Sequence, residues 1–335
     1  MYREVDAETA GQRLDNFLLA ALKGVPRDHV YRLIRSGQVR VNAGRAEARY
    51  RVRCGDRIRI PPVRTSVASA PPPEPQGLAW LEARIVYEDA RLLVLDKPAG
   101  LAVHGGSRVA LGAIEALRSL RPHAKGLELA HRLDRATSGC LLVAKRRSAL
   151  RSLHALLREG RVEKRYLGLV RGAWPEGVTR IEAPLAKARR APQARVAVAA
   201  AGKAASSEFR LIERAGAAAS YVEIAIRTGR THQIRVHAAH AGHPIAGDER
   251  YGDRVFNAAL EEFGLRRMFL HAHAVAFEWP ECGEEVAVSV PLPEELKRVL
   301  DALSDGGAAP RAAPSRADRA PRHAKSRRPK STAGR

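Results

Sequence analysis

The chain begins with two helical patterns followed by an alternating segment. Large apolar side chains recur every three or four residues between positions 14 and 22, which is the spacing of one helix face. A second segment of this kind starts after Pro26 and stops at Gly37, a residue type that commonly ends helices. Apolar and polar residues then alternate on either side of an Asn-Ala-Gly turn, which predicts a small hairpin sheet. The apolar helix positions are Leu14, Phe17, Leu18, Leu22, Val30, Leu33 and Ile34.

The middle of the chain mixes short apolar runs with helical segments. Strands are predicted at residues 91–95, 140–144 and 221–226, and helices at residues 148–159 and 231–241. Thr231 lies where its hydroxyl can cap the second of these helices. Hairpin-like turns outnumber long crossovers, so the sequence predicts an α+β domain with a mixed, largely antiparallel sheet.

Composition divides the chain into two domains, a linker and a tail. The 335 residues suffice for one large and one smaller domain, and a hydrophobic fraction of 45% is that of an ordinary packed core. A Pro- and Ser-rich stretch without apolar periodicity predicts a semi-rigid linker, and a final segment without large apolar residues predicts a disordered basic tail. The predicted boundaries are 1–62 for the small α/β domain, 63–77 for the linker, 78–304 for the large domain and 305–335 for the tail.

The net charge is strongly positive. It amounts to +22, with an isoelectric point near 10.8. Arginine supplies most of the basic residues, a preference that a GC-rich genome would produce without a functional cause. Codon usage does not explain the surplus over acidic residues, whereas a polyanionic partner does. Because arginine binds phosphate bidentately, we expect a nucleic acid as the partner.

The sequence lacks the features of a membrane-spanning, secreted or disulfide-linked protein. No stretch reaches the length of a membrane-spanning helix, and the N-terminal residues lack the apolar core of a signal peptide. Cys54, Cys140 and Cys282 are far apart, which argues against a zinc site or a disulfide framework. We therefore expect a cytoplasmic protein that does not bind a membrane and acts as a monomer.

Motifs for the common cofactors do not occur. There is no P-loop, no dinucleotide fingerprint after a strand and no nucleophile elbow, which argues against a nucleotide cofactor and a serine hydrolase. Histidines crowd into HQIRVHAAHAGH, where His237 and His240 are spaced to face one metal from a helix. No nearby Asp or Glu completes the ligand set, so we expect polar histidines and neither metal nor cofactor. A histidine-metal hydrolase acting on RNA stays open as an alternative.

One carboxylate, Asp134, lies among arginines in AHRLDRATSG. Arg132 and Arg135 flank it, and Arg230 and Arg235 occur in TGRTHQIR at the start of a predicted helix, where the dipole also favours anions. A carboxylate held by arginines stays ionised, as a nucleophile requires. A purely structural ion pair explains the same residues, so the pattern alone leaves both interpretations open.

The N-terminal unit carries basic side chains on its second predicted helix. Such a cluster is typical either of a solvated helix face or of an RNA-binding surface, and further arginines in the hairpin favour RNA. The motifs RLDNFL, VPRDHVYRLIRSGQVRVN and CGDRIRI resemble the S4 RNA-binding module, which implies docking on structured RNA. The candidate RNA-binding residues are Arg27, Tyr31, Arg32, Arg35 and Arg40.

Four further blocks resemble the RNA pseudouridine synthases, and among them the enzymes that modify large-subunit (23S) ribosomal RNA. They are HRLDRATSGCLLVAK, EKRYLGLVRG, TGRTHQIRVH and AGHPIAGDERYGD, in the order and at the spacing of that family. The resemblance covers about residues 10–303 and implies the pseudouridine synthase fold. It also implies an enzyme that breaks the N1–C1′ bond of a uridine, turns the bound uracil and joins C5 to C1′ without a metal or organic cofactor.

The resemblance implies roles for single residues. Asp134 matches the catalytic aspartate, and Arg235 matches the arginine that pairs with it. Tyr166 matches a tyrosine that stacks on the target base, with transfer of a proton left open as a second role. Arg132 matches an arginine that enters the gap left by the flipped nucleotide. Flipping is required because C1′ and C5 cannot be approached inside a stacked helix.

Strand alternation in EKRYLGLV adds an expectation for the tyrosine. Tyr166 and Gly168 share one face of a strand, which we predict to be an exposed platform, while Leu167 and Leu169 point into the core.

Two positions depart from the family pattern. Ala136 stands where an acid is usual, and Cys140 replaces a more common aliphatic residue.

A ribosome-binding or assembly factor without catalysis is the alternative function, because the S4 module and the basic tail suit it equally well. Such a factor would not need Asp134, Tyr166 and Arg235 intact in their motifs.

Overall fold

The N-terminal unit packs two helices against three short strands. The computed structural model describes residues 1–7, 9–22, 25–63, 75–105, 111–124, 126–187 and 195–305. The elements of this unit are β1 (Tyr2–Glu4), α1 (Leu14–Ala21), α2 (Arg27–Arg35), β2 (Arg40–Val41) and β3 (Arg57–Arg59). The strands form an antiparallel sheet in the order β1-β3-β2. Both predicted helices are present, whereas β1 escaped prediction because its three residues are all exposed and show no alternation.

The second unit is built on a large sheet. It begins with a short 3-10 turn (Pro75–Leu78) and α3 (Ala79–Glu82). Its strands are β4 (Ile85–Glu88), β5 (Leu92–Lys97), β6 (Glu128–Leu129), β7 (Ser138–Ala144), β8 (Glu163–Arg171), β9 (Val178–Glu182), β10 (Leu185–Lys187), β11 (Val196–Val198), β12 (Ser206–Ala215), β13 (Ala219–Ile226), β14 (Leu270–Glu278) and β15 (Glu285–Ser289). Its helices are α4 (Ala113–Leu120), α5 (Arg147–Glu159), α6 (Gln233–His240), α7 (Arg254–Glu262) and α8 (Glu294–Ser304).

Strand order confirms the predicted α+β class with a mixed, largely antiparallel sheet. The main path runs β4-β5-β7-β14-β8-β13-β12-β9, with β6 paired to β7 and β15 to β14. Among the described strands only β7 and β14 pair in parallel, through two residue pairs. The close approach at this contact requires a glycine: Gly139 has φ +107°, and a Cβ there would lie 2.2 Å from the Ala272 carbonyl oxygen.

Both faces of the central strands are covered by apolar side chains. Leu93 and Leu95 of β5 pack in the main core, whereas Leu92 and Val94 on the opposite face pack in a second cluster with α5. Burial on two faces explains why β5 and β7 appear in the sequence as continuous apolar runs. The predicted helix at 148–159 is α5, and Gly160 ends it in the left-handed conformation.

Helix α6 is present where the sequence predicted it, but its N-terminus differs. The N-cap is His232 in the left-handed conformation, with φ 55° and ψ 23°, and not Thr231. The side-chain oxygen of Gln233 accepts hydrogen bonds from the Arg230 N–H (3.1 Å) and the Thr228 hydroxyl (2.7 Å). This glutamine therefore organises the turn before the helix, the task that the prediction gave to a threonine hydroxyl.

Two predicted segments fall largely outside the described residues. These are the linker, of which residues 64–74 are not described, and the tail from residue 306 onward. Leu78 and Leu81, which follow the predicted linker in sequence, belong to the main core. In the part of the chain that is described, no helix has both the length and the apolar character needed to cross a membrane.

Candidate active site

The turn that carries Asp134 lies between β6 and β7 and is anchored at both ends. His131 accepts the N–H of Leu142 at its Nε2 atom (3.0 Å), which ties the start of the turn to β7. The Arg135 carbonyl accepts the Gly100 N–H (2.8 Å), and the Arg135 guanidinium donates back to the Gly100 carbonyl (2.7 Å). These hydrogen bonds fix the backbone of the turn that carries Asp134.

A buried lysine supports the same turn from beneath. Lys97 Nζ donates to the carbonyl oxygens of Pro98 (2.8 Å), Leu101 (2.9 Å) and Arg135 (3.3 Å). Burial lowers the pKa of Lys97 to about 7, while the negative charge of Asp134 opposes this change. The three carbonyl acceptors suit an ammonium group, which has three donors and no acceptor.

Arg235 joins Asp134 to a second carboxylate. Its Nη1 donates to Asp134 Oδ2 (2.9 Å), and its Nε and Nη2 donate to the two oxygens of Asp248 (2.7 and 2.8 Å). The structure thus brings together Asp134 and Arg235, which lie 101 positions apart and were predicted to pair. Among the described residues, no hydrogen-bond donor reaches Asp134 Oδ1, so this oxygen remains available to a substrate.

Asp248 was missed by the sequence analysis. Its side chain is fully buried, and its Oδ1 also accepts the N–H groups of Arg250 (2.9 Å) and Tyr251 (3.1 Å). Burial, the largest influence, would raise the pKa of Asp248, but the hydrogen bonds and charge of Arg235 lower it below its usual value. The residue lies in the AGHPIAGDERYGD block, yet only the fold shows that it orients Arg235.

His232 and Tyr251 complete this side of the site. His232 Nε2 is 3.9 Å from Asp134 Oδ1, and its Nδ1 is 2.8 Å from the Tyr251 hydroxyl. That hydroxyl accepts the Val196 N–H (3.0 Å), so it can donate its own hydrogen to Nδ1 of His232. In this arrangement the neutral imidazole carries its hydrogen on Nε2. Burial lowers the pKa of His232, which keeps the ring neutral at pH 7.

Tyr166 shares a cavity with Asp134, but it is not on an open face. The side chain is 7% exposed and packs in the main core with Val222 and Ile224. A Cβ at Gly168 would meet the Ile224 side chain at 3.0 Å, so the glycine makes room for core packing and not for an exposed platform. Burial, together with the charge of Asp134, raises the pKa of Tyr166 well above its usual value, which keeps the phenol protonated.

The other arginines near the turn have different partners from those expected. Arg135 binds the Gly100 carbonyl, and Arg230 Nε donates to the Ala204 carbonyl (3.1 Å). Arg132 is exposed and lines the cavities on either side of Asp134. Of the four arginines that the sequence placed near Asp134, Arg235 is the one that forms the ion pair.

Three adjoining cavities form a groove around these residues. A large cavity of about 870 Å³ is lined by Asp134, His232 and Arg235. A central cavity of about 70 Å³ contains Asp134 and Tyr166 together. A third cavity of about 410 Å³, which we call the basic cavity, is lined by Tyr166, Lys164 and Arg230 among others. Asp134 is the single acidic residue among the described residues that line the central cavity.

The predicted RNA-binding residues of the N-terminal unit have unequal exposure. Arg32 and Arg35 on α2 are exposed, and Arg40 is partly exposed. Tyr31 donates its hydroxyl to the buried Asp15 (2.7 Å), so it also supports the packing of α1 against α2. The backbone of Arg27 begins α2, while its side chain lies outside the described part of the structure.

Of the two helix histidines considered as metal ligands, His237 is hydrogen-bonded within the protein. His237 is buried, with Nδ1 3.0 Å from the Ser207 hydroxyl and Nε2 3.0 Å from the Ala183 carbonyl oxygen. Within the described ranges, no three His, Cys, Asp or Glu residues cluster in a way that could hold a metal ion. Of the two histidines of α6, His237 therefore serves packing, whereas His240 is exposed.

The fold is a mixed sheet preceded by a helix-pair module, and its site pairs a carboxylate with an arginine beside a buried tyrosine. The RNA pseudouridylate synthase family model matches residues 91–240, and the S4 domain model matches residues 12–58. The chain belongs to the RNA pseudouridine synthases and carries an S4 domain.

Relatives share sequence along nearly the whole chain. It is 49% identical over 304 residues to ribosomal large subunit pseudouridine synthase C of Pasteurella multocida, covering 90% of this chain and 93% of that protein. The identity to the protein of the same name from Escherichia coli K12 is 51% over 304 residues, covering 89% and 95%. Among solved structures, human RNA pseudouridylate synthase domain containing 1 aligns with a TM-score of 0.52 and 29% identity, covering 68% of this chain and 96% of that one.

Proposed function

We propose that this pseudouridine synthase isomerises specific uridines of large-subunit ribosomal RNA, with Asp134 as the catalytic carboxylate. Relatives of about 50% identity are named for that substrate, and an S4 domain with exposed Arg32 and Arg35 suits structured RNA. The net charge of +22 suits a polyanion. The observation that carries the assignment is the central cavity, where one carboxylate with an unoccupied oxygen lies beside a buried tyrosine.

The reaction requires a carboxylate with one fixed oxygen and one free oxygen. Arg235 holds Oδ2 of Asp134, which leaves Oδ1 to act on the ribose or the base. The N1–C1′ bond breaks, the C5–C1′ bond forms, and the proton on C5 is replaced by one on N1. The product is an isomer, so the balance needs neither a redox partner nor a second substrate.

The surrounding groups would hold the flipped nucleotide. Tyr166 offers its ring to the uracil, and its protonated hydroxyl can donate to a base carbonyl. Arg132, exposed next to the carboxylate, can fill the gap that the nucleotide leaves in its helix. We further propose that the enzyme works as a monomer in the cytoplasm without a cofactor.

The assignment is tested by mapping pseudouridine in large-subunit RNA from cells that lack this protein. Some sites should disappear and return when the wild-type chain is supplied. Asp134→Asn should not restore them, although its affinity for RNA should stay close to that of the wild type. Asp301→Asn, an equal charge change at an exposed position of α8, is the matched control and should restore every site. Restoration by Asp134→Asn would contradict the role of Asp134, and an unchanged map would contradict the substrate.

A further inference from the structure

The charged side chains that line the basic cavity are all positive. Its cationic side chains come from three separate segments of the chain, and none of the described residues that line it is acidic. These cations are Arg132, Arg158, Lys164, Arg227 and Arg230. Within the described residues, none of the five forms an ion pair. A cavity with this lining has a strongly positive potential and favours an anion.

A neighbouring cavity shows that this is unusual for the molecule. It has about 430 Å³ and is lined by Glu163, Glu208 and Glu223 as well as by arginines. Arg165 and Arg210 both bind Glu223, at 3.1 and 2.9 Å. Arg165 and Arg210 are thus paired within the protein, whereas Lys164 and Arg227, which line both cavities, form no ion pair among the described residues.

Lys164 is the buried member of the set. It is 7% exposed, and among the described residues its ammonium group has no hydrogen-bond or ion-pair partner. Burial alone lowers the pKa of Lys164 to about 8. An ammonium group that is desolvated without a counter-charge costs free energy, and an anion in the cavity would offset that cost.

The position of Lys164 connects the basic cavity to the site of reaction. Lys164 and Tyr166 are two residues apart on β8, so their side chains extend from the same face of the strand. Tyr166 lines both the central cavity and the basic cavity, and so does Arg132. An RNA strand whose base lies against Tyr166 would carry its backbone past this lysine.

We propose that the basic cavity binds a phosphodiester of the RNA strand next to the flipped uridine, with Lys164 as the buried cation that contacts it. The proposal rests on the proposed function and adds a subsite to it. Rotating a nucleotide out of its helix costs unstacking and unpairing energy, and contacts to the neighbouring phosphates would offset part of that cost and fix the position of the strand. The planar guanidinium groups of the exposed arginines can each bind two phosphate oxygens, and the ammonium group of Lys164 supplies a point charge.

The first test compares Lys164→Met with Lys297→Met in the full-length protein. Methionine suits a buried position, and Lys297 is an exposed residue of α8 that loses the same charge. Binding is measured over a series of salt concentrations for the large-subunit RNA fragment that the wild-type protein binds most tightly, whether or not the mapping experiment finds a target uridine in it. Lys164→Met should weaken binding about tenfold and reduce the slope of log K against log salt by about one unit, whereas Lys297→Met should change neither. Equal behaviour of the two variants would overturn the proposal.

The second test locates the phosphate. Synthetic RNAs of this sequence carry one neutral methylphosphonate linkage at successive positions along the strand. One position should weaken binding to the wild type and cause no further loss in Lys164→Met, because both changes remove the same contact. Additive losses at every position would exclude a phosphate contact by Lys164. Inorganic phosphate serves as the probe for a free-anion site, and tight binding of it that leaves RNA affinity unchanged would also overturn the proposal.

The proposed function and the proposed phosphate subsite can be disproved independently. If Lys164→Met weakens RNA binding as expected but the wild-type protein forms no pseudouridine, the subsite is supported and the proposed function is wrong. Wild-type protein that forms pseudouridine while Lys164→Met binds normally would leave the function in place and remove the subsite.

Discussion

Arg235 holds two carboxylates with different strength. It binds Asp248 through two parallel hydrogen bonds and Asp134 through one. The bidentate pair is buried and fixes the plane of the guanidinium group, so the single bond to Asp134 can lengthen without loss of the arginine's orientation. Asp134 is in this way held in position while one of its oxygens remains free to react.

Tyr166 allows stacking and proton donation to be separated. Tyr166→Phe keeps the ring and removes the hydroxyl, so RNA affinity should stay near the wild-type value. Turnover should fall by roughly 10²-fold if the hydroxyl assists the rearrangement, as we expect from its position beside Asp134. Turnover is measured as pseudouridine formed per enzyme under saturating RNA, and affinity by titration.

Tyr166→Ala is the comparison for this prediction. It should lose stacking of about 1–3 kcal/mol and should also lower stability by roughly 3–5 kcal/mol, because the ring is part of the main core. Full turnover of Tyr166→Phe would limit the residue to stacking.

At the level of elements, Glu88 connects three segments of the large domain. It ends β4 and accepts from Arg121, which follows α4, and from Lys145, which follows β7, both at 2.6 Å. These hydrogen bonds, first that of Arg121 and then that of Lys145, outweigh burial and lower the pKa of Glu88 to about 2. The side chain is 29% exposed, so solvent screens only part of the interaction.

The sign of the pH dependence follows from this lowered pKa. The pKa of a glutamate is 4.5 without these contacts, so the stabilisation is fully present above pH 4.5 and is lost as the pH falls toward 2. Glu88→Gln should lower the free energy of unfolding by roughly 1–2 kcal/mol at pH 7, and the difference should shrink below pH 4.5. Urea unfolding followed across this range measures it. Glu262→Gln, at an exposed position of α7, should differ little from the wild type at any pH; an equal loss in both variants would contradict the role of Glu88.

At the level of the whole molecule, positive charge is concentrated at the ends of the sequence. Residues 1–64 carry a net charge of +7, the same as the far longer span 65–305, and residues 306–335 carry +8. The two ends would therefore contribute much of the long-range attraction for RNA, while the residues proposed for catalysis lie in the large domain.

Removal of residues 1–62 should separate docking from catalysis. The shortened protein should bind long ribosomal RNA more weakly and with a smaller salt dependence, because several phosphate contacts are lost. Its activity on a short RNA at high concentration should be better preserved, since Asp134, Tyr166 and Arg235 all belong to the large domain. Rates on both substrates and the salt slope are the measurements. Equal loss on short and long RNA would contradict a division of labour between the domains.

Local pattern determined the elements and, through its motifs, the family. The periodicity of residues 14–22 and the apolar runs at 91–95 and 140–144 appear in the structure as α1, β5 and β7, because side-chain spacing depends on neighbours along the chain. Motif blocks likewise marked Asp134 and Arg235 as candidates.

Tertiary structure alone decided which of these residues meet. Asp134, in the turn before β7, and Arg235, on α6, are brought together by the fold across 101 positions, and no local spacing encodes that contact. The same holds for Asp248, whose role depends on the direction of the Arg235 side chain, and for Tyr166, which alternation placed on an open face. Alternation identifies which residues share a face of a strand, but whether a face is covered depends on the elements that pack on it, and those come from elsewhere in the chain.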